Sequence, residues 1–183
     1  MKHTLVALVE DKPGVLNRVA SLFRRRNFNI ESLTVGRTHE AGYSRMTILV
    51  DTEYTQPQLV TANLEKLINV VDVQDVTHTP TVSRDLALIK VRANSSHLAE
   101  ISQLAEIFRA RIVDVASDSV IIEITGDEQK ISSLVDLLRP RGIMEMVRTG
   151  QVAMARGSEN VQAIGNGNGN GHHHDEQDDD ETN

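Results

Sequence analysis

The stretch Val9-Glu10-Asp11-Lys12-Pro13-Gly14-Val15-Leu16-Asn17-Arg18-Val19 carries an apolar run through two acids and a Pro-Gly pair directly into a helical period. It predicts a strand, a tight turn and the start of a helix. Proline holds φ in the range a first helical turn uses, and glycine adds no side chain. The free N–H groups of that turn are therefore open to an anionic group such as an amino-acid carboxylate. Asp11 stands just before the turn, where a carboxylate either caps the helix or meets a ligand's ammonium group.

Outward from this junction, residues 3–10 read as a strand, and Val15, Leu16, Val19, Leu22 and Phe23 recur at helical spacing to about Arg26. Residues 29–38 and 43–51 are β-rich runs joined through Glu40-Ala41-Gly42, a hairpin signal. A second helix follows, with Thr55 able to cap it, Pro57 in its first turn and Val60, Leu64, Leu67 and Ile68 as its apolar face. Residues 70–79 close the unit as a strand. The order βαββαβ predicts an α+β, ferredoxin-like sandwich, with both helices on one face of a four-stranded antiparallel sheet.

The second half repeats that order: a strand over 86–93, a helix over 98–109, strands over 111–116 and 119–125, a helix over 128–138 and a final strand over 142–154. The fragment Leu22-Phe23-Arg24-Arg25-Arg26 is echoed by Ile107-Phe108-Arg109-Ala110-Arg111, 85 positions later. Two tandem ferredoxin-like domains are expected, over 1–80 and 84–157. The second enters its first helix from Asn94-Ser95-Ser96-His97 rather than from an acidic-Pro-Gly turn, so an amino-acid pocket is expected in the first domain only. Residues 158–183 alternate Gly and Asn and end in acids; they have too few apolar groups to fold and read as a disordered tail. His172, His173 and His174 form either a solvated tract or a weak metal site.

The 183 residues and 39% hydrophobic content suffice for real cores, and the absence of cysteine excludes disulfides and thiolate chemistry. No signal-peptide pattern and no membrane-length apolar run occurs, so a cytoplasmic protein is expected. The net charge of -7 belongs entirely to the tail, whose seven acids leave 19 acids against 19 bases in the body. A neutral body with only Phe23, Phe28, Phe108, Tyr43 and Tyr54 as aromatics offers neither the basic field nor the stacking surface of a nucleic-acid binder. Arg24-Arg25-Arg26 is the one locally basic run. At a helix C-terminus such arginines complement the dipole, face solvent or face a partner.

No G-x-S-x-G elbow, P-loop, H-E-x-x-H pair or dinucleotide glycine fingerprint occurs in the part expected to fold. His39, His78 and His97 stand near predicted element ends without the neighbours of a nucleophile and base. These absences favour a binding role over catalysis, with no catalytic residue and no metal or cofactor site assigned.

Three segments carry a family resemblance: Asp11-Lys12-Pro13-Gly14-Val15-Leu16-Asn17-Arg18-Val19, Asn27-Phe28-Asn29-Ile30-Glu31-Ser32-Leu33-Thr34-Val35-Gly36, and Ser44-Arg45-Met46-Thr47-Ile48. Together they resemble the N-terminal ACT domain of acetolactate synthase (acetohydroxyacid synthase) small, regulatory subunits, and the similarity extends over about residues 1–157. The resemblance implies a noncatalytic partner of a large subunit that holds thiamine diphosphate, Mg²⁺ and FAD and condenses pyruvate with pyruvate or 2-oxobutyrate. It implies that this chain holds none of those cofactors, raises the large subunit's activity and makes it sensitive to valine in branched-chain amino-acid synthesis.

The resemblance further implies a homodimer in which two ACT domains pair through their second strands, with effector sites at the seam. Residues 29–38 would be a sheet edge, and an unguarded edge needs a partner. Carried over by position, Asp11, Gly14, Val15 and Leu16 of one protomer meet the effector's ammonium and carboxylate, and Asn29 and Ile30 of the other close the site. Some family members have Asn where this chain has Asp11. The plainer readings are tight helix-to-strand packing for Gly14 and a turn after the helix for Asn29. A rival to the whole assignment is a stand-alone ACT-domain amino-acid sensor, or the regulatory module of another metabolic enzyme.

Overall fold

Leu5, Ala7 and Val9 on one face of the first strand, and Val6 on the other, are all buried, so layers must cover that strand on both sides. A computed structural model, which describes residues 1–51, 56–94 and 96–157, shows both layers. Strand β1 (Lys2–Glu10) is followed by α1 (Val15–Arg26), β2 (Asn29–Arg37), β3 (Tyr43–Asp51), α2 (Pro57–Leu64) and β4 (Val70–Asp75). The four strands form an antiparallel sheet in the order β2-β3-β1-β4, which leaves β2 at an edge. Val15, Val19 and Phe23 of α1 and Val60 and Leu64 of α2 bury one face of that sheet, and Phe23 meets Phe28 edge-on at 5.7 Å.

The second unit comprises β5 (Thr81–Arg92), α3 (Leu98–Ile107), β6 (Arg111–Val115), β7 (Ser119–Gly126), α4 (Glu128–Leu138), β8 (Ile143–Arg148) and β9 (Val152–Ala155). Its sheet runs β6-β7-β5-β8, around a core that includes Ile89, Ile101, Ile122, Ile131 and Leu134. The Asp127 carboxylate caps α4 by accepting the Lys130 N–H at 2.8 Å. The α+β, ferredoxin-like tandem expected from the sequence is thus what the chain forms.

Several boundaries differ. The expected strand over 142–154 is broken at Thr149-Gly150-Gln151, where Gly150 takes φ +84°, and β9 pairs instead with Thr81–Arg84, the front of a β5 longer than expected. Strand β4 ends at Asp75 rather than at 79, because the Asp75 side chain accepts from the Thr77 amide at 3.0 Å and turns the chain. Ile68 lies beyond α2 and is 86% exposed, so it is not part of that helix's apolar face. Thr55, Ser95 and residues 158–183 lie outside the described residues.

The internal repeat has a different period from the sequence echo. Left-handed backbone occurs at Asn27 and Arg109, the bulge in the second strand of each unit falls at 30/32 and 112/114, and the register shift of each first strand falls at 8/9 and 90/91. Each pair is 82 positions apart. The arginine-rich echo at 85 is therefore three residues out of structural register, with Leu22 inside α1 and Ile107 the last residue of α3.

The second layer over the first sheet comes from the other unit. Ala153 of β9 packs on Val6 and Val76, and the half-buried Arg45 guanidinium donates to the Ala153 carbonyl at 2.9 Å. Thr34 Oγ1 donates to the Thr149 carbonyl, and the Gln151 N–H donates to Ser32 Oγ, both at 3.3 Å. Lys2 Nζ reaches Glu31 of its own unit at 2.8 Å and Glu128 of the other at 3.5 Å. Among the described residues, no helix is long and apolar enough to cross a membrane.

Candidate functional site

The turn from β1 into α1 is held by backbone before any side chain is considered. The Asp11 N–H donates to the Gly42 carbonyl of the β2–β3 hairpin at 2.7 Å, Lys12 N–H to Glu10 at 3.0 Å and Val15 N–H to Lys12 at 3.3 Å. Gly14 is the N-cap residue, with φ +85°, and its carbonyl accepts the first helical bond from Arg18 at 3.0 Å. Pro13 therefore stays outside the helix, two residues before its first position, Val15. A left-handed φ is what requires glycine here.

The amides of Leu16 and Asn17, inside the first turn of α1, have no backbone acceptor among the described residues. No acid occupies that turn. The helix dipole adds a positive potential to these two donors, which suits a carboxylate or other small anion. A Cβ built on Gly14 would meet nothing within 4 Å, so tight packing against a strand is not what excludes a side chain.

Asp11 does not cap the helix. Its carboxylate pairs with Arg37 Nε at 3.3 Å, at the far end of β2, and both side chains are largely exposed. The two other turn residues part company: Leu16 is exposed, whereas Val15 is buried in the core, so only its backbone faces the turn. Ile30 also packs against the core, and Asn29 is exposed at the start of β2. The left-handed turn residue after α1 is Asn27, not Asn29.

Asp11, Gly14, Val15 and Leu16 thus stand together, and Asn29 and Ile30 stand apart from them. Register shows why: Asn29 and Lys2 both pair with Asp51, while Arg37 lies opposite Ser44, beside the Glu10 end of β1. Eight residues along a strand separate the two groups by roughly 25 Å within one protomer.

A second cluster flanks the turn. Asn69 donates to Glu10 Oε2 and accepts from Arg18, and Lys12 Nζ lies 3.1 Å from Glu10. The Asn69 amide, and after it Lys12, holds the Glu10 carboxyl below its ordinary range. No local pattern announces Asn69, which lies 59 positions from Glu10. A cavity of about 410 Å³ between α1 and α2 and another of about 320 Å³ between the two units are lined by other residues than those of the turn. Among the described residues no group of His, Asp and Glu side chains is placed to hold a metal ion.

Residues 5–72 match the model of an AHAS small subunit-like ACT domain, and residues 84–157 match that of the small subunit of acetolactate synthase. The chain belongs to the acetolactate synthase small-subunit family. It is 55% identical over 159 residues to the probable acetolactate synthase small subunit of Archaeoglobus fulgidus, covering 87% of this chain and 99% of that one. To the acetolactate synthase small subunit of Mycolicibacterium smegmatis it is 47% identical over 161 residues, 88% of this chain and 95% of the other.

The crystal structure of the acetolactate synthase small subunit from Thermotoga maritima matches with a TM-score of 0.79 and 41% identity, covering 87% of this chain and 99% of that one. The Pro-Gly turn and the open edge strand β2 both fall within the segment that matches the small-subunit ACT domain. Small subunit, in the names of these relatives, implies a larger counterpart.

Proposed function

We propose that this chain is the noncatalytic, regulatory subunit of a cytoplasmic acetolactate synthase, activating the catalytic subunit and conferring feedback inhibition by valine in branched-chain amino-acid synthesis. The observation that carries the proposal is the turn at Gly14, where a Cβ would meet nothing within 4 Å and two amides of the first helical turn have no backbone acceptor among the described residues. The effector's carboxylate sits on those amides, its ammonium group beside Asp11, and its side chain against Leu16. Thiamine diphosphate, Mg²⁺ and FAD belong to the catalytic subunit.

The opposite placement of Asn29 and Gly14 on one protomer supports a homodimer as the binding unit. When two copies of β2 pair antiparallel about a two-fold axis, the Asn29 end of one strand comes to the Arg37 end of the other, next to Asp11 and Gly14. The open edge also gains a partner. Each site is then completed by Asn29 and Ile30 of the second copy. A reversible sensor needs a dissociation constant only in the micromolar to millimolar range, roughly -8 to -4 kcal/mol, which a few amide bonds and one apolar side chain supply.

The test is acetolactate formation by the same organism's catalytic subunit, with and without this chain, across a titration of valine. Stimulation that valine reverses is the expected result. Stimulation indifferent to valine would remove valine from the site, and no stimulation at all would remove the regulatory role.

A further inference from the structure

The cavity between α1 and α2 is walled by Leu22, Arg25, Arg26, Asn63, Lys66 and Leu67. Arg24, Arg25 and Arg26 form the last turn of α1. Arg25 Nε donates only to the Ser21 carbonyl of its own helix, at 3.3 Å, and among the described residues none of the three arginines nor Lys66 takes part in an ion pair. Three cations, Arg25, Arg26 and Lys66, thus line an apolar-floored groove that has no acid in its lining. The chain's net negative charge lies in its tail, where six of the seven residues over 175–181 are Asp or Glu.

We propose that the acidic segment 175–181 of this chain docks in the α1–α2 groove. Reach permits it. Arg26 lies three residues before Asn29, at the end of the first sheet where Lys2 pairs with Asp51. The Val76 N–H donates to the Thr4 carbonyl at that same end, and the Arg156 N–H donates to Pro80 at 2.8 Å, so Gly157 leaves the fold there as well. The 17 residues over 158–174 span up to roughly 56 Å, against a radius of gyration of about 15 Å for a body of this size.

Each exposed charge pair is weak alone, but tethering makes the encounter intramolecular and several pairs form together. Contact of this kind is screened by salt. The groove lies away from the Gly14 turn, so this docking stands independently of which effector binds there.

Zero-length carbodiimide coupling, which joins a carboxylate to an amine in direct contact, tests the proposal on the full-length protein. Lys66 is the one lysine that lines the groove, and Lys2, Lys12, Lys90 and Lys130 serve as internal references. The expected product at low salt links Lys66 to the 175–181 segment, in at least roughly five-fold excess over links to Lys90, and it is lost near about 0.5 M NaCl.

The doubly substituted Arg25→Glu, Arg26→Glu chain, altered only at exposed positions, loses the same link. Tail links spread evenly over the lysines, or unchanged by the charge reversal, would overturn the proposal. As a second measure, ending the chain at Gly157 raises the rate of Lys66 acylation by about three-fold. An unchanged rate would also overturn it, leaving the groove to an acidic surface of another chain.

Discussion

Ser32 Oγ occupies the space that a side chain on residue 150 would need: a Cβ on Gly150 would lie 2.4 Å from it. The same hydroxyl accepts the Gln151 N–H at 3.3 Å. At this point the contact between the two units is made backbone against side chain, with no room for an added methyl group.

Gly150→Ala is expected to destabilise the protein by about 1–2 kcal/mol from the left-handed backbone alone, with the contact to Ser32 adding to it. A further Ser32→Gly substitution removes the nearest clash and leaves the conformational part together with the 3.0 Å approach of Thr34 Oγ1. Denaturant unfolding of the single and double variants separates them, and a double variant no more stable than Gly150→Ala would refute the contact.

Gly14→Asp is expected to raise the valine concentration for half-inhibition by more than roughly ten-fold, a loss of about 1.4 kcal/mol in binding, while activation of the catalytic subunit persists. The added carboxylate enters space where a Cβ meets nothing within 4 Å, so packing is not disturbed. Gly14→Ala carries the same left-handed strain without the charge and serves as the control. Full valine inhibition of the Asp variant would place the effector elsewhere.

Arg148→Ala is expected to cost about 2–3 kcal/mol, because it leaves a buried carboxylate without its cation. Asp85 is 6% exposed, and Arg148 Nε donates to its Oδ2 at 2.7 Å. Replacing both, as Asp85→Asn with Arg148→Met, is expected to recover most of that loss. A thermal unfolding series on the three variants decides the matter.

Asp75 links stability to acid. Burial pushes its carboxyl up, but the Thr77 hydroxyl and amide and the His3 ring, 2.8 Å away, outweigh burial and hold it below its ordinary 3.8. A folded-state value below the unfolded one means that the contribution is present above pH 3.8 and is lost as the pH falls through the lowered value. Asp75→Asn is expected to lower stability above pH 3.8, where the contribution is present, and to flatten that part of the acid limb. Unfolding midpoints measured from pH 6 downward provide the check, and parallel curves for the two proteins would contradict it.

Local order explains what is legible in the sequence. Val15, Val19, Leu22 and Phe23 repeat at helical spacing, and all four are buried along the α1 face that meets the sheet. The Pro-Gly turn is equally readable, because a glycine flanked by a strand and a helix marks a change of backbone hand. The partners of Asp11 are not: its choice of Arg37 over the helix N-terminus depends on where a hairpin ends 26 residues later. The break at Gly150 and the pairing of β9 with Thr81–Arg84 are likewise nonlocal, since an uninterrupted apolar run looks the same whether it continues a strand or folds onto a different one. Asn29 is a fair example of the difference: its identity is visible, but its distance from Gly14 is a matter of register.

Because Ala153 seals Val6 and Arg45 anchors on the Ala153 carbonyl, the two halves of this chain are separable as genes but not as objects. A fragment cut before Thr81 would carry an intact first helical layer and an unroofed sheet. Its recombination with a different second half would succeed only where the incoming partner brings a strand equivalent to Val152–Ala155. The joint that evolution or an engineer must respect is therefore a strand some seventy residues downstream of the apparent boundary, and swapping experiments should be cut to that pattern.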